Sequence, residues 1–252
     1  MAAASSEIAH LARALKAPRI AAAAPTFAER ARVEGWDYQQ HLARVLEEEV
    51  LARETSGGRL RVKAARLPAV KTLDDFDFTF QRSVRKQVVA HLAQLDFILE
   101  ASNVIFLGPP GTGKTHLSIA LAVQAARRGH RVAFATAHQW VQRLDAAQRA
   151  GRLDAGLDKL RRVPLLICDE VGYIPFEPEA AALFYALVAS RYERASMIVS
   201  SNKPFSAWTE IFGDAVAVAA MVDRLVHHAE IINLKGESYR LKNRRKEADQ
   251  HD

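Results

Sequence analysis

Residues 108–115 read Gly108-Pro109-Pro110-Gly111-Thr112-Gly113-Lys114-Thr115, which matches the phosphate-binding P-loop pattern G-x-x-x-x-G-K-[ST]. The apolar run at 103–107 predicts a strand before this loop, and residues 114–128 predict a helix after it. In that context backbone N–H groups and the positive end of the helix dipole converge on one anion. We therefore predict that the Lys114 ammonium contacts the β- and γ-phosphates of a nucleotide and that the Thr115 hydroxyl ligates Mg²⁺.

Two adjacent carboxylates, Asp169 and Glu170, follow a second apolar run at 163–168. Four successive apolar residues in this run predict a strand that is buried on both faces and ends at the carboxylates. In a P-loop fold this end lies beside the phosphates, so Asp169 is predicted to hold Mg²⁺ and Glu170 to polarise the attacking water. Such pairs also occur on solvated turns, but the upstream P-loop favours the functional interpretation.

Two further polar side chains have two interpretations each. Asn202 ends a short apolar run, and its amide either senses the γ-phosphate and orients water or forms a turn before the next proline. Arg224 closes a long predicted helix, and its guanidinium either reaches the γ-phosphate of a neighbouring subunit or pairs with Asp223 or Asp214. The local sequence fits both interpretations equally.

The C-terminal end combines two histidines with a basic segment. We interpret His227 and His228 as strand residues. Neighbouring side chains of a strand point to opposite faces, so the two histidines are predicted to share no metal ion. Residues 238–246 are strongly basic and include Arg240. Arg240 senses phosphate on one interpretation, while on the others the segment contacts nucleic acid or is a solvated tail.

Length, charge and residue composition limit the possible classes of protein. A length of 252 residues suits one large domain, or one domain with a small extension. The net charge of +6 favours an anionic partner such as nucleic acid. No apolar stretch reaches the ~20 residues of a membrane span, the N-terminus lacks the pattern of a secretion signal, and the single Cys168 excludes an intramolecular disulfide. We therefore expect a cytoplasmic protein without membrane contact.

The hydrophobic pattern divides the chain into a helical region at 1–66 and a larger domain at 67–252. The first region is predicted to hold a helix up to Pro18 and a second helix over 37–54, ended by Ser56-Gly57-Gly58 and followed by a basic linker. This region is too small to bury a large core, so it is predicted to dock a partner or to brace the main domain.

From residue 67 onward, predicted strands and helices alternate, which indicates an α/β fold with a parallel sheet sandwiched by helices. The strands are predicted near 103–107, 131–136, 163–168, 196–201 and 229–234. The helices are predicted near 82–100, 114–128, 138–150, 177–193 and 206–226.

Several segments together resemble the IstB-type transposition helper ATPases, which are AAA+ proteins encoded beside a transposase in bacterial insertion sequences and are similar to the DnaC replicative helicase loaders. The segments that carry the resemblance are 36–38, 71–78, 108–116, 169–175, 201–208, 212–214, 223–229 and 236–241. Val171, Ser200 and Lys203 differ from the residues more often expected in this family, and none of the three disables a motif.

The resemblance implies an AAA+ P-loop fold, ATP and Mg²⁺ as cofactors, and roles for matching positions. Asn202 matches the first sensor, Arg224 the finger acting on the adjacent subunit, and Arg240 the second sensor. Other positions are implied to bind the nucleotide: Phe76 and Phe78 near the adenine, and Gly108, Pro109, Pro110, Gly111, Thr112, Gly113, Lys114, Thr115 and His116 at the phosphates. The resemblance also implies ATP-dependent homo-oligomers on duplex DNA that recruit a transposase through the N-terminal region.

The DNA-contacting side chains are a separate prediction, made from charge and position between the second and third strands and just after the carboxylates. The predicted contacts are Arg143, Arg149, Arg152, Lys159, Arg161, Arg162 and Tyr173. The charged outer face of a surface helix explains the basic residues equally well. Two functions remain as alternatives to a transposase helper: a DnaC-like helicase loader, and an ATP-gated DNA scaffold with negligible turnover.

Overall fold

The structure is a computed structural model that describes residues 2–241. Of the basic segment predicted at 238–246, residues 242–246 lie outside the described residues. Contacts divide the chain into two compact units, Met1–Leu60 and Arg61–Asp252, whereas the sequence placed the boundary between residues 66 and 67.

Helices α1 (Ala2–Ala14), α2 (Pro18–Glu34) and α3 (Tyr38–Ala64) form the N-terminal part of the chain. The helical character of this region was predicted, but α2 was not predicted as a separate helix. Pro18 occupies the first turn of α2, where its missing N–H breaks no helix bond. Gly35 ends α2 in the left-handed conformation, with φ of 69°, which glycine adopts without strain.

α3 continues through Ser56-Gly57-Gly58 and through most of the basic run after it, so the predicted helix end and the predicted linker are wrong. A glycine in a helix interior costs about 1 kcal/mol, and the strong helix formers on both sides of the pair offset that cost. Arg61 also anchors the last turns of α3, because its Nε donates to the carbonyl oxygen of Ala126 at 2.8 Å.

The larger unit contains a parallel sheet of β1 (Asn103–Leu107), β2 (Val132–Thr136), β3 (Leu165–Val171), β4 (Ser196–Ser201) and β5 (Ala229–Asn233), in the order β2-β3-β4-β1-β5. This arrangement confirms the predicted α/β fold. Because all pairings are parallel, the carboxyl ends of β1, β3 and β4 meet at one edge of the sheet. The P-loop and the two predicted polar ends are therefore brought together by topology.

Alternate residues of β1 face two separate hydrophobic clusters, one on each side of the sheet. Val104 and Phe106 pack with α6 residues such as Leu117, whereas Ile105 packs with residues such as Trp140 from the opposite layer. A strand that is buried on both faces reads as a continuous apolar run, which is why this strand was evident from the sequence.

The helices of the larger unit are α4 (Lys86–Leu92), α5 (Asp96–Leu99), α6 (Lys114–Arg127), α7 (Ala137–Arg149), α8 (Leu153–Arg161), α9 (Pro178–Arg191), α10 (Thr209–Phe212) and α11 (Ala215–Val226). The predicted helix 82–100 is two helices, since Leu95 between them has φ of 72°. The predicted helix 206–226 is also broken, because Asp214 caps α11 by accepting from the N–H groups of Val216 and Ala217. The sequence did not predict α8 at all.

No helix within the described part of the chain combines the length and the apolar character needed to cross a bilayer.

Candidate functional site

The loop 108–113 connects β1 to α6 and depends on glycine at two positions. Gly111 and Gly113 have φ of 80° and 103°, in the left-handed region that glycine favours. A Cβ on Gly113 would lie 2.6 Å from the ring of Phe76, and a Cβ on Gly111 would lie 2.0 Å from Oγ of Ser238. Both conformation and space therefore exclude larger residues, as a loop that presents its backbone to an anion requires.

Lys114 begins α6, and its side chain is folded onto the loop. Nζ donates to the carbonyl oxygens of Gly108 at 2.6 Å and Pro109 at 2.8 Å. Burial lowers the pKa of the Lys114 ammonium from its ordinary value, and the charge of Asp169 opposes that shift. Because the present acceptors are neutral, a phosphate oxygen at this place would form the stronger, charge-assisted hydrogen bond.

A cavity of about 610 Å³ opens beside this loop, a volume within the range of small-molecule sites. The predicted site residues that line it are Phe76, Gly111, Thr112, Gly113, Lys114, Thr115, His116, Glu170 and Arg240. The predicted site residues that do not line it, although the structure describes them, are Phe78, Gly108, Pro109, Pro110, Asp169, Asn202 and Arg224.

Asp169 and Thr115 form a close pair of oxygen donors beside the cavity. Asp169 is 3% exposed, and the Thr115 hydroxyl donates to its two carboxylate oxygens at 2.9 and 3.1 Å. Neighbouring ligands of an octahedral Mg²⁺ with bonds of about 2.1 Å lie about 3 Å apart. The type of donor and the separation of these two residues therefore fit a magnesium ion.

Glu170 occupies a β-bulge inside β3, which the sequence predicted to end before the two carboxylates. From Cys168 to Val171 the strand advances three residues, while the facing segment of β4 advances two, from Val199 to Ser201. Glu170 has φ of 60°, a left-handed conformation that is uncommon outside glycine and is found at functional sites. The bulge brings Glu170 to the cavity wall while its neighbour stays buried.

Burial and the neighbouring charges together raise the pKa of the Glu170 carboxyl. Burial raises the pKa of the Glu170 carboxyl above its ordinary value, and the adjacent charge of Asp169 raises it further. Arg240 and Lys114 act in the opposite direction. A carboxylate with a raised pKa is a stronger base, which suits a group that polarises water.

Several residues that line the cavity were not predicted to contact a nucleotide. Ser200 and Phe80 belong to this group, and Tyr173 lines the cavity although it was predicted to contact DNA. Tyr239 also lines it, with its ring 5.2 Å from that of Phe80 and its N–H donating to the carbonyl of Gly111 at 3.0 Å. Tyr173 and Tyr239 lie in segments that carry the family resemblance, but no local pattern indicates that these four residues meet at one cavity.

The two phenylalanines predicted near the adenine have different positions. Phe76 lies 4.8 Å from Phe78 and 5.4 Å from His116, measured between ring centroids. Nε2 of His116 is 2.9 Å from the carbonyl oxygen of Thr72, which fixes this segment on the first turn of α6. Phe76 lines the cavity, whereas Phe78 packs behind it against the core.

Asn202 and Arg224 lie outside the cavity of their own chain. Oδ1 of Asn202 is buried and has no hydrogen-bond partner among the described residues. Arg224 donates to the carbonyl of Ala220 at 2.8 Å, and its guanidinium lies 5.4 Å from the ring of Tyr185. Within residues 2–241 no ion pair joins Arg224 to an aspartate, so the alternative interpretation of this arginine as an internal ion pair is wrong.

The two histidines lie in the turn after α11. The assumption that they are neighbouring residues of a strand is therefore wrong. Nδ1 of His227 and Nε2 of His228 lie 3.7 and 3.9 Å from Oε1 of Glu193. The Tyr192 hydroxyl is 2.7 Å from Nδ1 of His227. The turn thus brings both rings to one carboxylate, an arrangement that strand geometry would not permit.

The basic residues predicted to contact DNA lie on α7, on α8 and at the ends of α8. Those on α8 and its ends are Arg152, Lys159, Arg161 and Arg162. Arg149 pairs with Asp145 at 2.8 Å, and Arg161 pairs with Asp158 at 2.7 Å. Exposed pairs of this kind contribute little to stability, so these arginines are available to exchange partners.

Residues 10–247 match the protein family described as IstB-like ATP binding protein. The chain belongs to this family. It is 48% identical over 218 residues to the ATP-binding protein of insertion sequence IS21 from Pseudomonas aeruginosa, covering 86% of this chain and 82% of that protein. It is 43% identical over 218 residues to the ATP-binding protein of IS5376 from Geobacillus stearothermophilus, covering 86% and 87%. The resemblance inferred from the motifs is confirmed, and the family's ligand is ATP.

Solved structures confirm the AAA+ P-loop fold. The DnaC helicase loader aligns with a TM-score of 0.53 at 19% identity and covers 69% of this chain and 99% of that one. AMPPCP-bound DnaA from Aquifex aeolicus aligns with a TM-score of 0.54 at 19% identity, covering 73% and 56%. At this identity the likeness concerns the fold alone.

Proposed function

We propose that this chain is a Mg²⁺-dependent ATPase that assembles on duplex DNA in its ATP-bound form and recruits a transposase. The observation that carries the proposal is the placement of Glu170 on the wall of the P-loop cavity, next to the Asp169–Thr115 pair. Family membership supports the proposed role in transposition, since relatives are the ATP-binding proteins of insertion sequences.

In this mechanism the P-loop amides and Lys114 bind the phosphates, and Thr115 and Asp169 are the residues that would hold Mg²⁺. When bound, Mg²⁺ supplies positive charge that offsets the charge developing on the phosphate oxygens. Glu170 accepts a hydrogen bond from the attacking water and takes its proton. Arg240 adds a second positive charge at the cavity wall of the same chain.

The pH dependence of hydrolysis tests the role of Glu170. This carboxylate is active only when deprotonated, and its pKa is raised, so activity is lost as the pH falls through a value above the ordinary glutamate pKa of about 4.3. The measurement is kcat/KM for MgATP across the acid range, corrected for the ionisation of ATP itself. An acid limb at or below the ordinary glutamate value contradicts the assignment.

We propose that association of two subunits completes the ATP-hydrolysis site. Arg224 is in the last turn of α11, outside the cavity of its own chain, and within residues 2–241 it donates to a backbone carbonyl and not to a carboxylate. An arginine finger supplied by an adjacent subunit has these properties. ATP then stabilises the oligomer, because the γ-phosphate is bound by residues of two chains at once.

The N-terminal unit is the proposed docking site for the transposase. On α3, Tyr38, Leu42, Leu46 and Val50 follow each other at intervals of four residues and are all exposed. Residues at this spacing form one stripe along a helix. An exposed apolar stripe on a small helical unit supports binding to another protein.

Assembly on DNA is tested by analytical ultracentrifugation and electron microscopy of the full chain with duplex DNA and either ATP or ADP. We expect large DNA-bound assemblies with ATP and their loss with ADP or with Lys114→Ala. Binding should also weaken steeply with salt, since basic side chains displace counterions from DNA. A chain that stays monomeric and ignores duplex DNA with every nucleotide contradicts the proposal. Capture of a replicative helicase instead of the transposase would support the loader alternative.

A further inference from the structure

Ser200 lies between the two proposed catalytic carboxylates and contacts both residues. It is on β4, which pairs with β3, and it is 1% exposed. Its Oγ accepts a hydrogen bond from the backbone N–H of Glu170 at 3.0 Å. The same Oγ donates to Oδ1 of Asp169 in a short hydrogen bond.

The bulge explains why Glu170 needs a partner for its backbone. An extra residue in one strand has no counterpart in the ladder, so its N–H requires another acceptor. The Ser200 hydroxyl provides that acceptor at the position where Glu170 adopts φ of 60°. The left-handed conformation, and with it the direction of the Glu170 side chain, therefore depends on this hydroxyl.

The hydroxyl also fits the needs of Asp169. A serine has one proton to donate and lone pairs to accept, so it serves both carboxylate residues at once. Thr115 is the other donor to Asp169, and its hydroxyl would also be a ligand of Mg²⁺. Ser200 would then be the remaining donor that holds the Asp169 carboxylate in place.

We infer that Ser200 is a positioning residue for hydrolysis, which fixes the left-handed backbone of Glu170 and the carboxylate of Asp169 through one hydroxyl. This inference rests on the proposed ATPase function and goes beyond the residues assigned to it. Ser200 lines the cavity, but its hydroxyl is engaged by Glu170 and Asp169, so in this mechanism it acts through these two neighbours. It therefore governs turnover more than nucleotide binding, because the P-loop contacts do not depend on it.

Three variants of the full chain test this inference: Ser200→Ala, Ser200→Thr and the matched control Ser196→Ala. Ser196 is the first residue of β4 and is equally buried, but its hydroxyl donates to the carbonyl oxygen of Phe97 at 2.8 Å, away from the bulge. The measurements are kcat and KM for ATP in the presence of DNA, the affinity for nucleotide at equilibrium, and the thermal unfolding midpoint of each variant.

For Ser200→Ala we expect kcat to fall about 10- to 100-fold, the usual effect of losing a hydrogen bond to a charged group, with KM and nucleotide affinity within about threefold of wild type. Ser200→Thr keeps the hydroxyl and should retain kcat within about threefold. Ser196→Ala also removes one buried hydrogen bond, so it should lower the unfolding midpoint as much as Ser200→Ala does while leaving kcat nearly unchanged.

Two results overturn the inference alone: an active wild type whose Ser200→Ala variant keeps its kcat, or equal losses of kcat in Ser200→Ala and Ser196→Ala. The second result would mean that β4 is merely destabilised. A wild-type chain that binds ATP but does not hydrolyse it overturns the proposed ATPase function, and this inference with it.

Discussion

Glu170→Gln is expected to lower kcat for ATP hydrolysis by about 10²- to 10⁴-fold, the contribution usual for a general base. The amide has the shape of the carboxylate, so the bulge and the backbone bond to Ser200 are retained. It cannot accept a proton from water, however, and it carries no charge. Nucleotide affinity should stay at the wild-type level or increase, since one negative charge near the phosphates is removed. The measurements are phosphate release at saturating ATP and equilibrium binding of a fluorescent ATP analogue.

Glu177→Gln is the matched control for this variant. Glu177 lies seven residues further along the same segment, is exposed and does not line the cavity. The same chemical change there should leave kcat unaltered. If Glu170→Gln hydrolyses ATP as fast as wild type, Glu170 is not the base. If the wild-type rate is already at background, the chain is an ATP-gated scaffold.

The P-loop and the carboxylate pair were predictable because their chemistry is local in sequence. Glycines at fixed intervals before a lysine encode both the conformation and the space that the loop needs, as the close approach of Phe76 to Gly113 shows. The parallel sheet was predictable for a similar reason, since strands buried on both faces are continuous apolar runs. Topology then brings their ends together without further information.

The supporting residues were not predictable, because their roles arise from contacts between distant segments. Ser200 resembles any small residue of a buried strand until a bulge in β3 places the Glu170 N–H beside it. Phe80 and Tyr239 meet at the cavity although 158 residues lie between them in the sequence. α3 likewise continues through two glycines because the helix propensities of the surrounding residues outweigh their cost. A rule that ends a helix at each glycine pair misses this.

Arg224→Ala is expected to lower kcat by about 10³-fold or more, the range measured for arginine fingers, while each isolated subunit still binds ATP. The loss follows from removing a guanidinium that stabilises charge on the γ-phosphate of the neighbouring chain. Among the described residues its side chain bonds to one carbonyl and lies over one aromatic ring, so its removal should affect folding little. Arg194→Ala, a change at an exposed arginine after α9, is the control and should retain activity.

Mixing two inactive variants separates action on a neighbour from action within one chain. Glu170→Gln subunits have an inactive site but an intact Arg224, whereas Arg224→Ala subunits have an intact site and no finger. In mixed assemblies on DNA, an Arg224→Ala site next to a Glu170→Gln subunit contains every required group, so hydrolysis should recover to a substantial fraction of the wild-type rate. Co-assembly is verified with two fluorescent labels. Mixed assemblies that remain inactive would show that Arg224 does not act across the subunit interface, and the proposed link between ATP occupancy and assembly would then lose its physical basis.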